Sequence, residues 1–127
     1  MCPAPTIAVM IVTNHPIMGD GLRLRVQHEP DMRAVCVASD LHRALRELEL
    51  HKPDVAVIDL QSPPGAALQA IKAIRRISPG TPLVILTDYP EEFDTSARTG
   101  EGATIAVSKT LASEQVILAI REAIATP

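Results

Sequence analysis

Five short apolar runs rich in β-branched residues alternate along this chain with segments of helical period, and that alternation leaves few folds open. The runs lie at 7–12 (IAVMIV), 33–38 (RAVCVA), 54–58 (DVAVI), 83–87 (LVILT) and 104–107 (TIAV); each is bounded by Gly, Pro, Asp or Ser and is too short for a helix. Between them Met18, Leu22 and Val26, then Leu41, Ala44, Leu45 and Leu48, then Ala67, Ala70, Ile71 and Ile74 recur at helical spacing. Val116, Ile120, Ala123 and Ile124 do so in the last helix, with Ser113 placed to cap it. Runs 1, 3 and 4 are apolar almost throughout, as strands covered on both faces must be, whereas run 2 starts on Arg33. Right-handed crossovers then give an α/β fold, a five-stranded parallel doubly wound sheet with strands 1, 3 and 4 inside and helices on both faces.

A chain of 127 residues is one domain long, and residues 1–127 are expected to form it without disulfide or metal staples. With 46% hydrophobic residues, no Trp, one Tyr and one Phe, the core must be aliphatic, and disorder is excluded. The fourth helical segment, 91–100 (EEFDTSARTG), offers only Phe93 and Ala97 for packing, so it is expected to be short, irregular or mobile. Basic residues come in small groups, Arg23/Arg25, Arg43/Arg46 and Lys72/Arg75/Arg76, which read as solvated helix faces. Neither a basic stripe nor stacking aromatics argue for nucleic-acid binding by this segment. Cys2 and Cys36 are too few for a disulfide framework, and His15, His28, His42 and His51 lack ligand spacing. The apolar start is far short of a membrane span, so a cytoplasmic protein is expected.

In a doubly wound sheet a site lies where the loops leave the carboxyl ends of the strands. Those positions hold Thr13, Asn14 and His15, then Asp59, then Thr87 and Asp88, then Lys109. At this point the chain resembles the receiver domain of bacterial two-component response regulators, in the subfamily that usually carries a LuxR-type (NarL/FixJ-like) DNA-binding domain. The resemblance spans residues 7 to about 125 and rests on IVTNHPIMGDGLR (11–23), PDVAVIDLQSP (53–63), VILT (84–87) and VSKT (107–110) in that order. It implies a flavodoxin-like strand order 2-1-3-4-5. It also implies that Asp59 matches the phosphoacceptor, Thr87 the hydroxyl that bonds the phosphoryl group, Lys109 the lysine that pairs with it, and Pro63 the loop proline. The chemistry agrees: a carboxylate attacks phosphorus as nucleophile, and Lys and Thr complement charge on the transferring oxygens.

Where the family binds its divalent metal with an acidic pair, this sequence has Thr13 and Asn14. Magnesium wants hard anionic oxygens in an octahedral array, and neutral side chains are poor substitutes. A usual receiver site holds three carboxylates and a lysine and is neutralised by the ion; this one holds Asp59 and Lys109 and is neutral already. Weak or absent magnesium, and no other cofactor, is therefore expected. Asp88 neighbours Thr87 but should point to the opposite face. The aromatic that the family places three residues before the lysine matches Ala106, which cannot report by rotating.

Asp59 is thus either a structural carboxylate satisfied by Lys109, with Thr87 beside it, or a working phosphoacceptor. His15 is expected to cap or pack at the start of the first helix, Tyr89 to sit on the rim with Gln61 opposite, and Gly100-x-Gly102 precedes a strand, the wrong setting for a phosphate loop. Three functions follow: an atypical, non-enzymatic receiver acting by dimerisation or docking; an ordinary phosphoacceptor served by a histidine kinase; or a sensor of a small anion held against Lys109. A homodimer would use helices 1 and 5, because helix 5 carries Val116, Ile117, Leu118, Ile120 and Ile124 around much of its circumference. DNA would be reached only through an output domain absent from this chain.

Overall fold

The computed structural model describes residues 6–60, 65–93, 101–109 and 113–125. Its elements run β1 (Ile7–Thr13), α1 (Pro16–His28), β2 (Met32–Ala38), α2 (Leu41–His51), β3 (Val55–Asp59), α3 (Ala66–Ile77), β4 (Leu83–Thr87), a 3-10 turn (Pro90–Glu92), β5 (Thr104–Ser108) and α4 (Ser113–Ala125). The five strands pair in parallel in the order β2-β1-β3-β4-β5, as the sequence pattern and the resemblance led one to expect.

Alternate residues of the inner strands feed two separate cores, which is why their sequences are apolar throughout. Val9, Ile11, Val55, Val57, Val84 and Leu86 meet α1 and α4 on one face. Met10, Val12, Ala56, Ile58, Leu83 and Ile85 meet α2 and α3 on the other. The third strand is set one residue later than the run that announced it. Asp54 stays outside, where its Oδ2 accepts from the Ala8 backbone N–H at 2.7 Å, and Asp59 becomes the last strand residue. This frame matters for the site, because it pairs Thr13 with Asp59 in register.

The helix ends follow local chemistry only in part. Asp40 caps α2, its Oδ1 accepting from the Arg43 backbone N–H at 2.8 Å. Ser113 is itself the first helical residue of α4, so the cap expected there falls at position 112, outside the described residues. Of the weak fourth helical segment, 94–100 also lies outside them; Pro90–Glu92 form a single 3-10 turn. No helix among the described residues is long and apolar enough to cross a membrane.

Arg121 on α4 ties that helix to the turn before β2. It donates to Asp31 Oδ2 at 2.6 Å and Oδ1 at 3.0 Å, and to Glu29 Oε1 at 2.7 Å. Hydrogen bonding to Arg25 and Arg121 holds the Glu29 carboxyl below its ordinary 4.5, and Arg121, with a smaller backbone contribution, holds Asp31 below its ordinary 3.8. Carboxyls lowered in this way stabilise the fold above their ordinary values and lose that contribution as pH falls through the lowered ones. Arg121→Gln is therefore expected to lower the melting temperature modestly near neutrality and to converge with the parent as pH falls below 4.5, a flatter decline that thermal unfolding from neutral to acid pH would show.

Candidate functional site

Parallel pairing brings the carboxyl ends of β1, β3 and β5 to one edge, and with them a small charged cluster. Asp59 is completely buried. Lys109 Nζ reaches its Oδ1 at 2.6 Å, and the Thr13 hydroxyl donates to its Oδ2 at 3.0 Å. The lysine contact is an ion pair by distance; an aligned hydrogen bond to Oδ1 is lacking among the described residues. Charge compensation there is therefore coulombic, in a setting where little water competes.

Thr13 is itself 3% exposed and tightly held. Its Oγ1 accepts from the His15 backbone N–H at 3.1 Å while donating to Asp59. Its methyl lies against α1 at Gly19, where an added Cβ would come within 3.0 Å of Thr13 Cγ2 and 3.1 Å of Val37 Cγ1. The missing side chain at Gly19 lets α1 approach closely against the threonine's methyl, which leaves its hydroxyl turned to Asp59. Lys109 is fixed from behind, its backbone N–H donating to the Thr87 carbonyl at 3.1 Å.

The other expected site residues fall at different distances from this cluster. Thr87 stands beside it at the end of β4, but its hydroxyl accepts from the Tyr89 backbone N–H at 3.1 Å in a local turn. Asn14 is exposed one step beyond Thr13, and Asp88 is exposed past the end of β4. His15 occupies the cap position of α1 with no side-chain cap bond; its exposed side chain neither caps nor packs, because Pro16 already starts the helix. Tyr89 is 59% exposed on the rim of a cleft of about 530 Å³ that Leu60, Leu68, Thr87 and Phe93 also line. That cleft adjoins the Asp59 cluster but does not contain the carboxylate. Gln61 and Pro63, Gly100 and Thr110 lie outside the described residues. Ala106 pairs with Ile85 inside the sheet, half-buried. Among the described residues no three His, Cys, Asp or Glu side chains gather closely enough to hold a metal ion.

Sequence reasoning missed the role of Thr13 as a donor to Asp59. The signal was its place at the end of β1, where a parallel neighbour in register can share a face; the register itself came only with the structure.

A doubly wound parallel sheet with a buried carboxylate and a lysine at its carboxyl edge defines a receiver-type α/β module. The chain belongs to the response regulator receiver domain family, which matches residues 9–121. It is 32% identical over 114 residues to the oxygen regulatory protein NreC of Staphylococcus haemolyticus, covering 89% of this chain and 52% of that protein. NreC of Staphylococcus epidermidis matches to the same extent, so the chain spans about half the length of the curated relatives it matches. The receiver domain of Thermotoga maritima CheB superposes with a TM-score of 0.77 at 22% identity, covering 96% of this chain and 98% of that one. A LuxR-family two-component response regulator from Aurantimonas sp. SI85-9A1 gives 0.76 at 26% identity, covering 94% and 86%.

Proposed function

We propose that this receiver domain works in two-component signalling without regulated aspartyl phosphorylation, passing its signal by dimerisation or by docking on a partner. One observation carries the reading: both oxygens of Asp59 are already engaged from within the protein, Oδ1 by Lys109 and Oδ2 by the Thr13 hydroxyl. The pair is formally neutral, so a divalent cation would relieve no repulsion on arriving. The donors at hand also fit magnesium poorly. Among the described residues the buried ones are one carboxylate that is already paired and one hydroxyl whose proton goes to that carboxylate, where the ion asks for several hard oxygens around an octahedron.

In this reading Asp59, Lys109 and Thr13 form a fixed internal tie across β3, β5 and β1, and the domain rests in one conformation. An output, DNA binding included, would come from a further domain or partner protein in the cytoplasm. Homodimerisation through α1 and α4, the first and last helices, has Ile17 (88% exposed), Leu24 and Leu118 in its favour. Helix α4 contributes less than its apolar circumference promised, because Val116, Ile117 and Ile120 are buried against this domain's own sheet.

Beryllium fluoride with magnesium, followed by fluorine NMR, tests the proposal. No bound fluoroberyllate signal is expected. A stoichiometric signal that disappears in Asp59→Asn would establish the phosphoacceptor reading instead.

A further inference from the structure

Spacing places Arg75 with Lys72 and Arg76 on a solvated helix face, and the structure corrects this. Lys72 and Arg76 are exposed, but Arg75 turns inward from the last turn of α3. Its Nη1 donates to the Pro79 carbonyl at 3.0 Å and to the Thr81 carbonyl. Its Nη2 lies 2.8 Å from the Gly102 carbonyl, 3.2 Å from that of Ala103 and 2.9 Å from Thr104 Oγ1. One planar fork therefore spans the α3–β4 turn and the leading end of β5, a geometry that a lysine's point charge cannot reproduce. Burial lowers the pKa of this arginine, as expected of a cation that has exchanged water for carbonyls.

The same junction is closed by backbone contacts. The Gly102 N–H donates to the Pro79 carbonyl at 2.9 Å and the Leu83 N–H to the Ala103 carbonyl at 2.8 Å. A Cβ at Gly102 would meet the Gly80 carbonyl oxygen at 2.5 Å, so the two turns touch backbone to backbone.

We infer that Arg75 is a positioning residue for Lys109: by pinning the leading end of β5 it sets the register that carries the ammonium to Asp59. Strand β5 is an edge strand paired only with β4. Its sequence, TIAVS, has little to oppose a two-residue slip, which would keep every side chain on its face yet move Lys109 about 6.6 Å. A displacement of that size breaks a 2.6 Å pair. The inference rests on the Asp59–Lys109 contact and not on whether Asp59 accepts a phosphoryl group, so the two fail separately.

The test is the rate at which each lysine is acetylated by an amine-reactive ester, read by peptide mass spectrometry on the intact fold. The chain has three lysines, and exposed Lys52 and Lys72 are internal standards for Lys109, whose side chain is 11% exposed. Arg75→Met is expected to raise the Lys109 rate about tenfold relative to the two standards. Val26→Ala, a core truncation under α1, serves as a control at matched distance below its melting temperature and should raise it little. Should Arg75→Met not fold, Thr104→Val removes one acceptor from the fork and is expected to give a smaller rise, about threefold, at Lys109 alone. An equal rise at all three lysines, a rise no larger than in Val26→Ala, or no rise in a folded Thr104→Val overturns the inference.

Discussion

The double variant Thr13→Asp/Asn14→Asp is expected to gain a magnesium-dependent rise in melting temperature that the parent chain does not show. Thr13 is buried and neighbours Asp59 in strand register, so a carboxylate at that position faces another with a single lysine between them. Without metal this crowding costs about 2–4 kcal/mol, since an uncompensated buried charge has neither water nor a partner. Adding the ion supplies the missing charge. At about ten times its dissociation constant, magnesium returns roughly 1.4 kcal/mol, or about 5 °C for a domain of this size. Differential scanning fluorimetry with and without magnesium reads both effects. A folded double variant indifferent to magnesium would place the obstacle beyond these two residues.

Lys109→Met is expected to be the most damaging single substitution at the site, lowering stability by about 3–5 kcal/mol and the melting temperature by about 10–20 °C. The reason is asymmetric. Asp59 is fully buried and Lys109 is the cation at its Oδ1, so removing the lysine leaves the carboxylate with the Thr13 hydroxyl on Oδ2. Removing both charges is milder, because no buried ion is left behind. The double variant Asp59→Asn/Lys109→Met should therefore be more stable than Lys109→Met alone by about 2 kcal/mol. Urea unfolding of the four members of this cycle measures the coupling. A loss below about 1 kcal/mol in Lys109→Met would mean that the pair contributes no more than an exposed one.

What could be read from the sequence divides along a physical line. Strand positions and the inner place of strands 1, 3 and 4 were legible, because a sheet covered on both faces writes its burial into consecutive apolar residues, as in Val55 to Ile58, whereas the full strand order was what the resemblance implied. Which residues meet at the carboxyl edge was legible too: Asp59 and Thr87 end their strands, Lys109 follows β5, and the fold gathers strand ends. The pairing of Lys109 with Asp59 was foreseeable as well, but the partners of the two threonines were not. Whether Thr13 turns its hydroxyl to Asp59 depends on parallel register and on the room left at Gly19, and both are properties of two or three segments at once. Thr87 was assigned to the same cluster, yet its hydroxyl serves the backbone of Tyr89, a competition that a hydroxyl beside a turn often enters. Arg75 was misread for a related reason. Helical spacing says which residues share a face but not what lies over that face, and here it was the start of a strand 27 residues further on.

In the proposed reading the charge of the pocket, Asp59 against Lys109, is balanced before any cation reaches it. The parent arm of the magnesium comparison tests this most directly, with backbone amide shifts of Thr13, Asn14, Asp59 and Lys109 followed by NMR as magnesium is raised to about 20 mM at constant ionic strength. The prediction is no saturable change at these four residues. Saturable shifts centred on Asp59, with a dissociation constant in the low millimolar range or tighter, would contradict it.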